Sequence, residues 1–252
     1  MPKSSDYPYF LIIGGTRCGT TALIRYLQGP HENIIPLIGT QHSWGQALNF
    51  LKYWGPNNFK WHKAFEEKAA GIREHLVYMG RFFIWNHPGA PKELYRVFPN
   101  AKILLMMRNP VKRAFSKYVA NKGAKWETLS FERAIERPFS ERDEIDIQIY
   151  NYKQGAYWLR HIKRWLKYFS RENFLAIHAE SLFKHPKFVM ANIQNFLNIV
   201  PVLVQDKYEK INAHKYEEKM KARTKKELIE HFKPYNEELY TFMGVDFGWE
   251  NE

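Results

Sequence analysis

The chain has 252 residues, of which 45% are hydrophobic and 25% charged, a globular composition that excludes intrinsic disorder. Its formal net charge of +12 indicates an anionic partner, a class that includes nucleic acid, anionic lipid and phosphorylated or sulfated ligands. The single cysteine, Cys18, excludes an intrachain disulfide framework. No apolar run approaches the ~20 residues that span a bilayer, and residues 1–9 lack the apolar stretch of a signal peptide. We therefore expect a cytoplasmic protein without membrane association.

Short apolar runs alternate with helical patterns along the chain. Runs bounded by turn residues predict buried strands, over residues 9–13, 77–79, 103–107 and 174–177. Apolar residues at helical spacing predict helices, over residues 22–27, 110–119, 158–169, 189–197 and 225–242. Pro234 predicts a kink or restart in the last helix, whereas residues 35–75 show no clear element. The alternation predicts an α/β fold of three layers, P-loop-like, with a central parallel sheet flanked by helices, in a single domain over residues 1–252.

The first predicted strand leads through a glycine-rich loop into a helix, an arrangement that aims backbone N–H groups at a phosphate. Gly14 and Gly19 have the spacing of the nucleotide-binding motif G-x-x-x-x-G-K-S/T, but Thr20 occupies the lysine position. Because that lysine normally contacts the β- and γ-phosphates, its absence argues against ATP or GTP hydrolysis. Arg17 lies inside the loop, so the pattern favours an anion site over a glycine turn without a ligand.

A second motif follows the strand at residues 103–107. Arg108 stands at the carboxyl end of this strand, where open α/β sheets bind ligands. Arg108 shares a crevice with the glycine loop if the two strands are neighbours. Asn109 caps the next helix and Pro110 starts it, and Ser116 lies off the helix's apolar stripe, so we expect its hydroxyl to face a ligand. A surface ion pair for Arg108 and a solvated Ser116 are the alternatives.

Together the two motifs resemble those of the PAPS-dependent sulfotransferases, most closely the bacterial and heparan-sulfate types. The phosphosulfate loop of that family, G-x-x-K/R-x-G-T-T/S-x-L, is matched by Gly14, Arg17, Gly19, Thr20, Thr21 and Leu23. Its 3′-phosphate segment, R-N/D-P-x-x-R-A-x-S-x-Y, is matched by Arg108, Asn109, Pro110, Arg113, Ala114, Ser116 and Tyr118. The resemblance continues through residues 155–157 and the tail at 232–249.

The resemblance implies transfer of a sulfuryl group from PAPS (3′-phosphoadenosine 5′-phosphosulfate) to a hydroxyl or amine, with PAP as product and no metal ion. It assigns the 5′-phosphate loop to Gly15, Thr16, Arg17, Cys18, Gly19, Thr20 and Thr21. Arg17 would also stabilise charge on the bridging oxygen, while Arg108 and Ser116 would bind the 3′-phosphate that distinguishes PAPS from ATP. Lys221 and Arg223 are candidates for further contacts to that phosphate, with a solvated basic face as the alternative.

The segments that supply the base in glycan-modifying members differ in this chain. Gln41 stands near the position of the family's Glu, and glutamine cannot take a proton. His42 can do so near neutral pH, so we predict His42 as the base, ahead of His87. Arg81 replaces the family's lysine after the second predicted strand, and the accompanying Glu is missing. A hydrogen-bonded structural histidine is the alternative for His42.

The acceptor cannot be identified from these residues. A glycan fits the basic charge and the aromatic content, and a small alcohol or phenol stays open. The alternative function is a catalytically impaired PAPS- or PAP-binding protein of the same fold, which the missing Glu residues favour. Thr20 argues against a kinase, and the absence of a recognition motif argues against nucleic acid as a partner.

Overall fold

The computed structural model describes residues 9–28, 34–36, 76–80, 83–140, 143, 146–202 and 219–251. Parallel strands form one sheet, and they are β1 Tyr9–Gly14, β2 Ile34–Pro36, β3 Leu76–Gly80, β4 Lys102–Met107 and β5 Phe174–His178. Their order across the sheet is β2-β3-β1-β4-β5, with β1 in the centre. Parallel neighbours require crossover connections, and helices occupy these connections wherever the structure describes them.

The helices of the described residues are α1 Thr20–Gln28, α2 Phe83–Asn86, α3 Ala90–Val97, α4 Pro110–Gly123, α5 Phe131–Ile135, α6 Trp158–Trp165, α7 Ala179–Lys184, α8 Pro186–Leu197 and α9 Ala222–Met243. A π-helical turn, Asp146–Tyr150, precedes α6. No helix in this part of the chain is long and apolar enough to cross a membrane. The predicted three-layer, P-loop-like α/β fold with a central parallel sheet is confirmed.

Burial on both faces of the sheet explains why the sequences of the two central strands, β1 and β4, are continuously apolar. Residues 10–13 of β1 and residues 103–107 of β4 are all buried. A parallel strand covered on both faces has no solvent side, so polar residues do not alternate with apolar ones. The strands predicted from these runs are therefore confirmed, as are those at residues 77–79 and 174–177.

Other elements differ from their predictions. Strand β2 was not predicted, because three residues ending in a proline carry too little periodicity. The last helix starts at Ala222 and continues without interruption through Pro234, so the predicted restart is wrong. Leu228, Phe232 and Leu239 are buried along one face of α9, and this packing offsets the roughly 3 kcal/mol that an interior proline costs. Residues 37–75 lie outside the described residues.

Candidate functional site

The two strands that carry the sequence motifs are neighbours. Strands β1 and β4 pair in parallel register, with Gly14 opposite Met106. The glycine loop after β1 and Arg108 after β4 therefore begin side by side at the carboxyl edge of the sheet. The predicted shared crevice required these two strands to be neighbours. The carboxyl edge is also where parallel α/β sheets usually bind their ligands.

The loop between β1 and α1 has the backbone shape of an anion-binding nest. Arg17 and Gly19 have left-handed φ angles of 72° and 84°, while Cys18 N donates to the Gly15 carbonyl (3.2 Å). Alternation of left- and right-handed residues turns successive N–H groups toward one concave face. Thr20 then begins α1, whose first N–H groups have no partner within the helix. The loop can thus hold a phosphate through backbone donors.

Two hydrogen bonds join the loop to the second motif. Arg17 Nε donates to Ser116 Oγ (3.1 Å), and Arg108 Nη1 donates to the carbonyl oxygen of Arg17 (2.8 Å). Ser116 is buried, so the solvated alternative for its hydroxyl is wrong. The structure therefore brings Arg17, Arg108 and Ser116 together, although they lie up to 99 positions apart in the chain.

Arg108 also has an acidic neighbour at the end of β5. Its Nε lies 3.6 Å from Glu180 Oε1, and Glu180 Oε2 lies 2.8 Å from His178 Nε2. Burial opposes ionisation of this carboxyl, but the hydrogen bond and charge of His178, with the charge of Arg108, hold the pKa of Glu180 below its ordinary value. Glu180 thus fixes one side of the Arg108 guanidinium.

Arg113 is buried beneath the loop. Its Nη1 donates to the carbonyl oxygens of Asn151 (2.9 Å) and Tyr152 (3.1 Å), and its Nη2 donates to Asn151 Oδ1 (2.9 Å) and Thr16 Oγ1 (3.4 Å). No described carboxylate contacts the guanidinium, and burial lowers its pKa to about 10. A Cβ at Gly155 would overlap this guanidinium, which explains why the position is a glycine. Arg113 therefore holds the loop to the segment before α6.

Lys117 lies one helical turn after Arg113 on α4, and its side chain is 2% exposed. Burial, with the charges of Arg113 and Arg17, lowers the pKa of Lys117 to about 7. In the sequence, Arg113 matches a position of the second motif to which no role was assigned, and Lys117 matches no motif position. Arg113, Lys117 and Asn121 share one face of α4 at i, i+4, i+8 spacing and are all buried. The same spacing is typical of a solvated helix face, so the sequence carries no signal for their burial.

Cys18 contributes to the loop through its backbone. Its side chain is completely buried, and its thiol contacts the Thr16 carbonyl at 4.0 Å. Burial raises the pKa of the Cys18 thiol to about 12, so it stays protonated at physiological pH.

The predicted base and the predicted second cation, His42 and Arg81, lie outside the described residues, as does Gln41. The second candidate base, His87, accepts a hydrogen bond at Nδ1 from Gly89 N (3.1 Å) in the turn that precedes α3. Nowhere in the described ranges do three or more His, Cys, Asp or Glu side chains lie where they could hold a metal ion.

Lys221 and Arg223 lie at the start of α9 with exposed side chains. Lys221 Nζ lies 3.3 Å from Glu132 Oε2, and Arg223 Nε lies 2.7 Å from Glu227 Oε1. Each of these two cations is thus paired with a glutamate in the described part of the chain. A role for this pair in binding the 3′-phosphate stays a prediction.

Comparisons with known proteins agree with the two motifs. The sulfotransferase domain family matches residues 8–252. Human heparan sulfate glucosamine 3-O-sulfotransferase 6 is 24% identical over 276 residues, which cover 98% of this chain and 75% of the relative. The mouse bifunctional heparan sulfate N-deacetylase/N-sulfotransferase 4 is 27% identical over 208 residues, which cover 79% of this chain and 23% of the relative.

A solved structure shares the same architecture. The crystal structure of a sulfotransferase from Alicyclobacillus acidocaldarius matches with a TM-score of 0.75 at 25% identity, over 97% of this chain and 99% of that one. The family match spans nearly the whole chain, and the fold brings the two motifs into direct hydrogen-bonded contact. The chain therefore belongs to the sulfotransferase family and is a PAPS-dependent sulfotransferase.

Proposed function

We propose that this protein transfers the sulfuryl group of PAPS to a hydroxyl or amine of a glycan and releases PAP. The observation that carries the proposal is the pair of hydrogen bonds from Arg17 to Ser116 and from Arg108 to the Arg17 carbonyl. These bonds unite the loop N–H groups and two guanidinium groups at one edge of the sheet. A glycan is the acceptor class because the two heparan-sulfate-modifying relatives align with 98% and 79% of this chain.

Each donor phosphate has its own set of residues in this proposal. The loop at residues 15–21 binds the 5′-phosphate through backbone N–H groups. Ser116 and Arg108 bind the 3′-phosphate. The Arg108 side chain is 27% exposed, and its polar contacts with the described residues are made by Nη1 and Nε. Nη2 can therefore donate to a phosphate oxygen. Lys221 and Arg223 are proposed as further contacts to the same phosphate.

The transfer forms a bond between the acceptor oxygen or nitrogen and sulfur while the bond from sulfur to the bridging oxygen breaks. Negative charge grows on that bridging oxygen, and Arg17 is the residue proposed to stabilise it. The acceptor loses its proton, for which His42 is the proposed base. Arg81 is the proposed second cation. Fixed orientation of donor and acceptor supplies much of the remaining catalysis.

Binding of the 3′-phosphate is tested by thermal unfolding with PAP and with ADP, which lacks that phosphate. A ligand at ~100 times its Kd stabilises a protein by about 2.7 kcal/mol, which raises Tm by several degrees. We expect PAP to raise Tm more than ADP does. Arg108→Ala should weaken PAP binding by about 10- to 100-fold and leave ADP binding unchanged, whereas Arg133→Ala, on the exposed face of α5, should alter neither. Equal shifts with PAP and ADP would contradict the 3′-phosphate site.

Transfer is tested by PAP release from PAPS in the presence of defined acceptors. Heparosan offers hydroxyls, N-deacetylated heparosan adds amines, and p-nitrophenol represents the phenol alternative. We expect turnover with a polysaccharide, and we expect His42→Ala to abolish it without weakening PAP binding. PAP binding without transfer to any acceptor would instead favour the catalytically impaired binding protein.

Three further features stay predictions from the sequence. They are a cytoplasmic location, the absence of membrane and nucleic-acid partners, and a single domain over residues 1–252. Cell fractionation tests the first. Binding of vesicles and duplex DNA at physiological salt tests the second, and cooperative unfolding by two spectroscopic probes tests the third.

A further inference from the structure

His178, the last residue of β5, has two partners at one nitrogen atom. Trp249 Nε1 donates a hydrogen bond to His178 Nε2 (2.9 Å), and Glu180 Oε2 lies 2.8 Å from the same atom. An indole N–H can only donate, and an ionised carboxylate can only accept. A lone pair at Nε2 suits Trp249, whereas a proton there suits Glu180. The two contacts therefore belong to two different protonation states of His178.

The other ring nitrogen of His178 is compatible with both states. Nδ1 lies 3.0 Å from Ser181 Oγ, and a hydroxyl oxygen accepts a hydrogen bond from Nδ1 in the neutral ring and in the imidazolium alike. The neutral ring then carries its proton at Nδ1 and leaves the Nε2 lone pair for Trp249. The imidazolium carries a second proton at Nε2, which Glu180 can accept. The two states thus differ by one proton at Nε2.

The geometry at Nε2 favours the neutral ring. The bond from Trp249 is well aligned, whereas neither carboxylate oxygen of Glu180 has an aligned hydrogen-bond donor among the described residues. Trp249 is also fixed in place, because it is buried and its carbonyl oxygen accepts a hydrogen bond from Asn109 Nδ2 (3.0 Å). Glu180 Oε1 lies 3.6 Å from Arg108 Nε. Arg108 is therefore the cation that balances Glu180 while His178 is neutral.

A phosphate bound to Arg108 changes this balance. Arg108 is proposed to bind the 3′-phosphate, so a dianion comes to share the guanidinium with Glu180. Two anions at one guanidinium repel each other, and the Glu180 side chain is only 22% exposed, which limits screening by water. A proton at His178 Nε2 gives Glu180 a counter-charge of its own. Binding of the 3′-phosphate therefore favours the imidazolium form of His178.

We propose that His178 is a positioning residue for the donor, which takes up a proton when the 3′-phosphate binds and then neutralises Glu180 beside Arg108. The inference rests on the proposed function, in which Arg108 binds that phosphate. The proton comes from solvent, and Nε2 exchanges the hydrogen bond from Trp249 for an ion pair with Glu180. The affinity for PAP should consequently fall as pH rises, because histidine loses its charge between pH 5 and 8.

Other titratable groups near the three residues do not distinguish the variants used below. Cys18 interacts electrostatically with Arg108 and Glu180, and its pKa is raised to about 12, so its thiol keeps its proton. Lys117 has a pKa of about 7 and is common to all variants. Asp246 and Glu250 flank Trp249, make hydrogen bonds elsewhere and are also common to all variants.

The test measures the protons taken up on binding. Calorimetric titrations of PAP and of ADP at pH 7, repeated in buffers of different ionisation enthalpy, give the proton uptake for each ligand. With PAP, uptake by the wild-type protein should exceed that of His178→Gln and of Glu180→Gln by about half a proton, and with ADP the three should agree. His185→Gln, which replaces an exposed histidine directly after α7, is the matched control and should behave like the wild-type protein.

The pH dependence of affinity supplies a second readout. Between pH 6.5 and 8.5, the affinity of the wild-type protein for PAP should fall by about five- to tenfold relative to that of Glu180→Gln. The affinities of the two proteins for ADP should change in parallel. The second ionisation of the 3′-phosphate, near pH 6, is the same for every variant and cancels in this comparison.

Three outcomes would overturn the proposal. Proton uptake that is equal in the wild-type protein and in His178→Gln would show that His178 does not take up the proton. Unchanged uptake in Glu180→Gln would show that Glu180 does not cause it, and this variant, an amide of the same shape, decides the matter if His178→Gln does not fold. Parallel pH profiles for PAP would contradict the linkage. If the wild-type protein binds PAP no better than ADP, the proposed 3′-phosphate site itself fails, which separates the two hypotheses.

Discussion

Two basic regions of this protein differ in what surrounds their charge. On α4, Arg113 and Lys117 are buried, and Arg113 contacts neutral oxygens of the loop and of residues 151–152. At the start of α9, Lys221 and Arg223 have side chains that are 72% and 88% exposed, and each contacts a glutamate. The first region concentrates positive charge at the site, whereas the second is neutralised locally and screened by water.

The comparison shows that the net charge of +12 says little about where the protein attracts anions. An exposed ion pair contributes little because solvent already stabilises both ions. A buried cation loses that solvation, so it responds strongly to any anion that replaces water. The four predictions that follow test this contrast, from the largest expected effect to the smallest.

Removing Arg113 should cause the largest loss of stability. Arg113→Ala removes the hydrogen bonds that the guanidinium donates to the Asn151 and Tyr152 carbonyls and to the Asn151 amide oxygen, and it opens a cavity. We expect the free energy of unfolding to fall by about 3 kcal/mol, measured by urea denaturation. Arg133→Ala, at an exposed position, is the control. Equal stability of the two variants would show that the buried guanidinium does not hold the loop.

Lys117 should make the free energy of unfolding depend on pH, and replacing Lys117 should remove this dependence. Its pKa is about 7 in the folded protein and 10.5 in its ordinary state, so between these values the unfolded chain binds more protons. The free energy of unfolding should rise with pH by about 1.4 kcal/mol per unit above pH 7, and the penalty should be fully present below it. Urea denaturation at pH 7, 8 and 9 should show the stability advantage of Lys117→Met shrinking as pH rises. Parallel curves for the two proteins would contradict the shifted pKa.

A methyl group at Gly155 should disturb the Arg113 guanidinium by steric overlap, without removing it. Since a Cβ there would overlap the guanidinium, Gly155→Ala should lower the free energy of unfolding by about 1–3 kcal/mol. A Cβ at Gly123, the last residue of α4, would meet no atom within 4 Å. Gly123→Ala is therefore the control and should be neutral or slightly stabilising in the same denaturation experiment. A neutral Gly155→Ala would mean that Arg113 relaxes without cost.

Replacing the α9 cations should have the smallest effect on stability. Lys221→Ala and Arg223→Ala should leave Tm unchanged, because solvent replaces the lost ion pairs. The same variants test the predicted contacts with the 3′-phosphate. If these side chains bind the 3′-phosphate, their loss should weaken the binding of PAP more than the binding of ADP. Unchanged PAP binding would remove both residues from the set proposed to bind the donor.

The prediction of the fold succeeded where the pattern is local and strong. The apolar runs of β1 and β4 follow from burial on both faces, and the Asn109 cap of α4 accepts hydrogen bonds from Val111 N (3.0 Å) and Lys112 N (3.1 Å) as expected. Strand β2 was missed because three residues carry no periodicity. The restart at Pro234 was wrong because the packing of α9 outweighs the preference of a single residue.

The residues of the candidate site also divide into those that could be predicted from the sequence and those that could not. Arg17, Arg108 and Ser116 could be selected from the two motifs, since each follows a strand that ends at the same edge. The burial of Arg113 and Lys117 could not be predicted from the sequence, because charged residues at this spacing are typical of the solvated face of a helix. Their environment depends on residues 149–155, which are distant in sequence and pack over this face of α4.

The sequence by itself determined strands β1, β3, β4 and β5, the loop and the chemical type of the ligand, because apolar runs, glycine spacing, hydroxyls and arginines impose local geometry and charge. The order of the strands, the bond between Arg17 and Ser116 and the burial of two cations on α4 were decided by the tertiary structure. The physical reason is that solvation is a property of the packed chain. A lysine or arginine has the same charge everywhere in a sequence, but its pKa and its attraction for an anion depend on what excludes water from it.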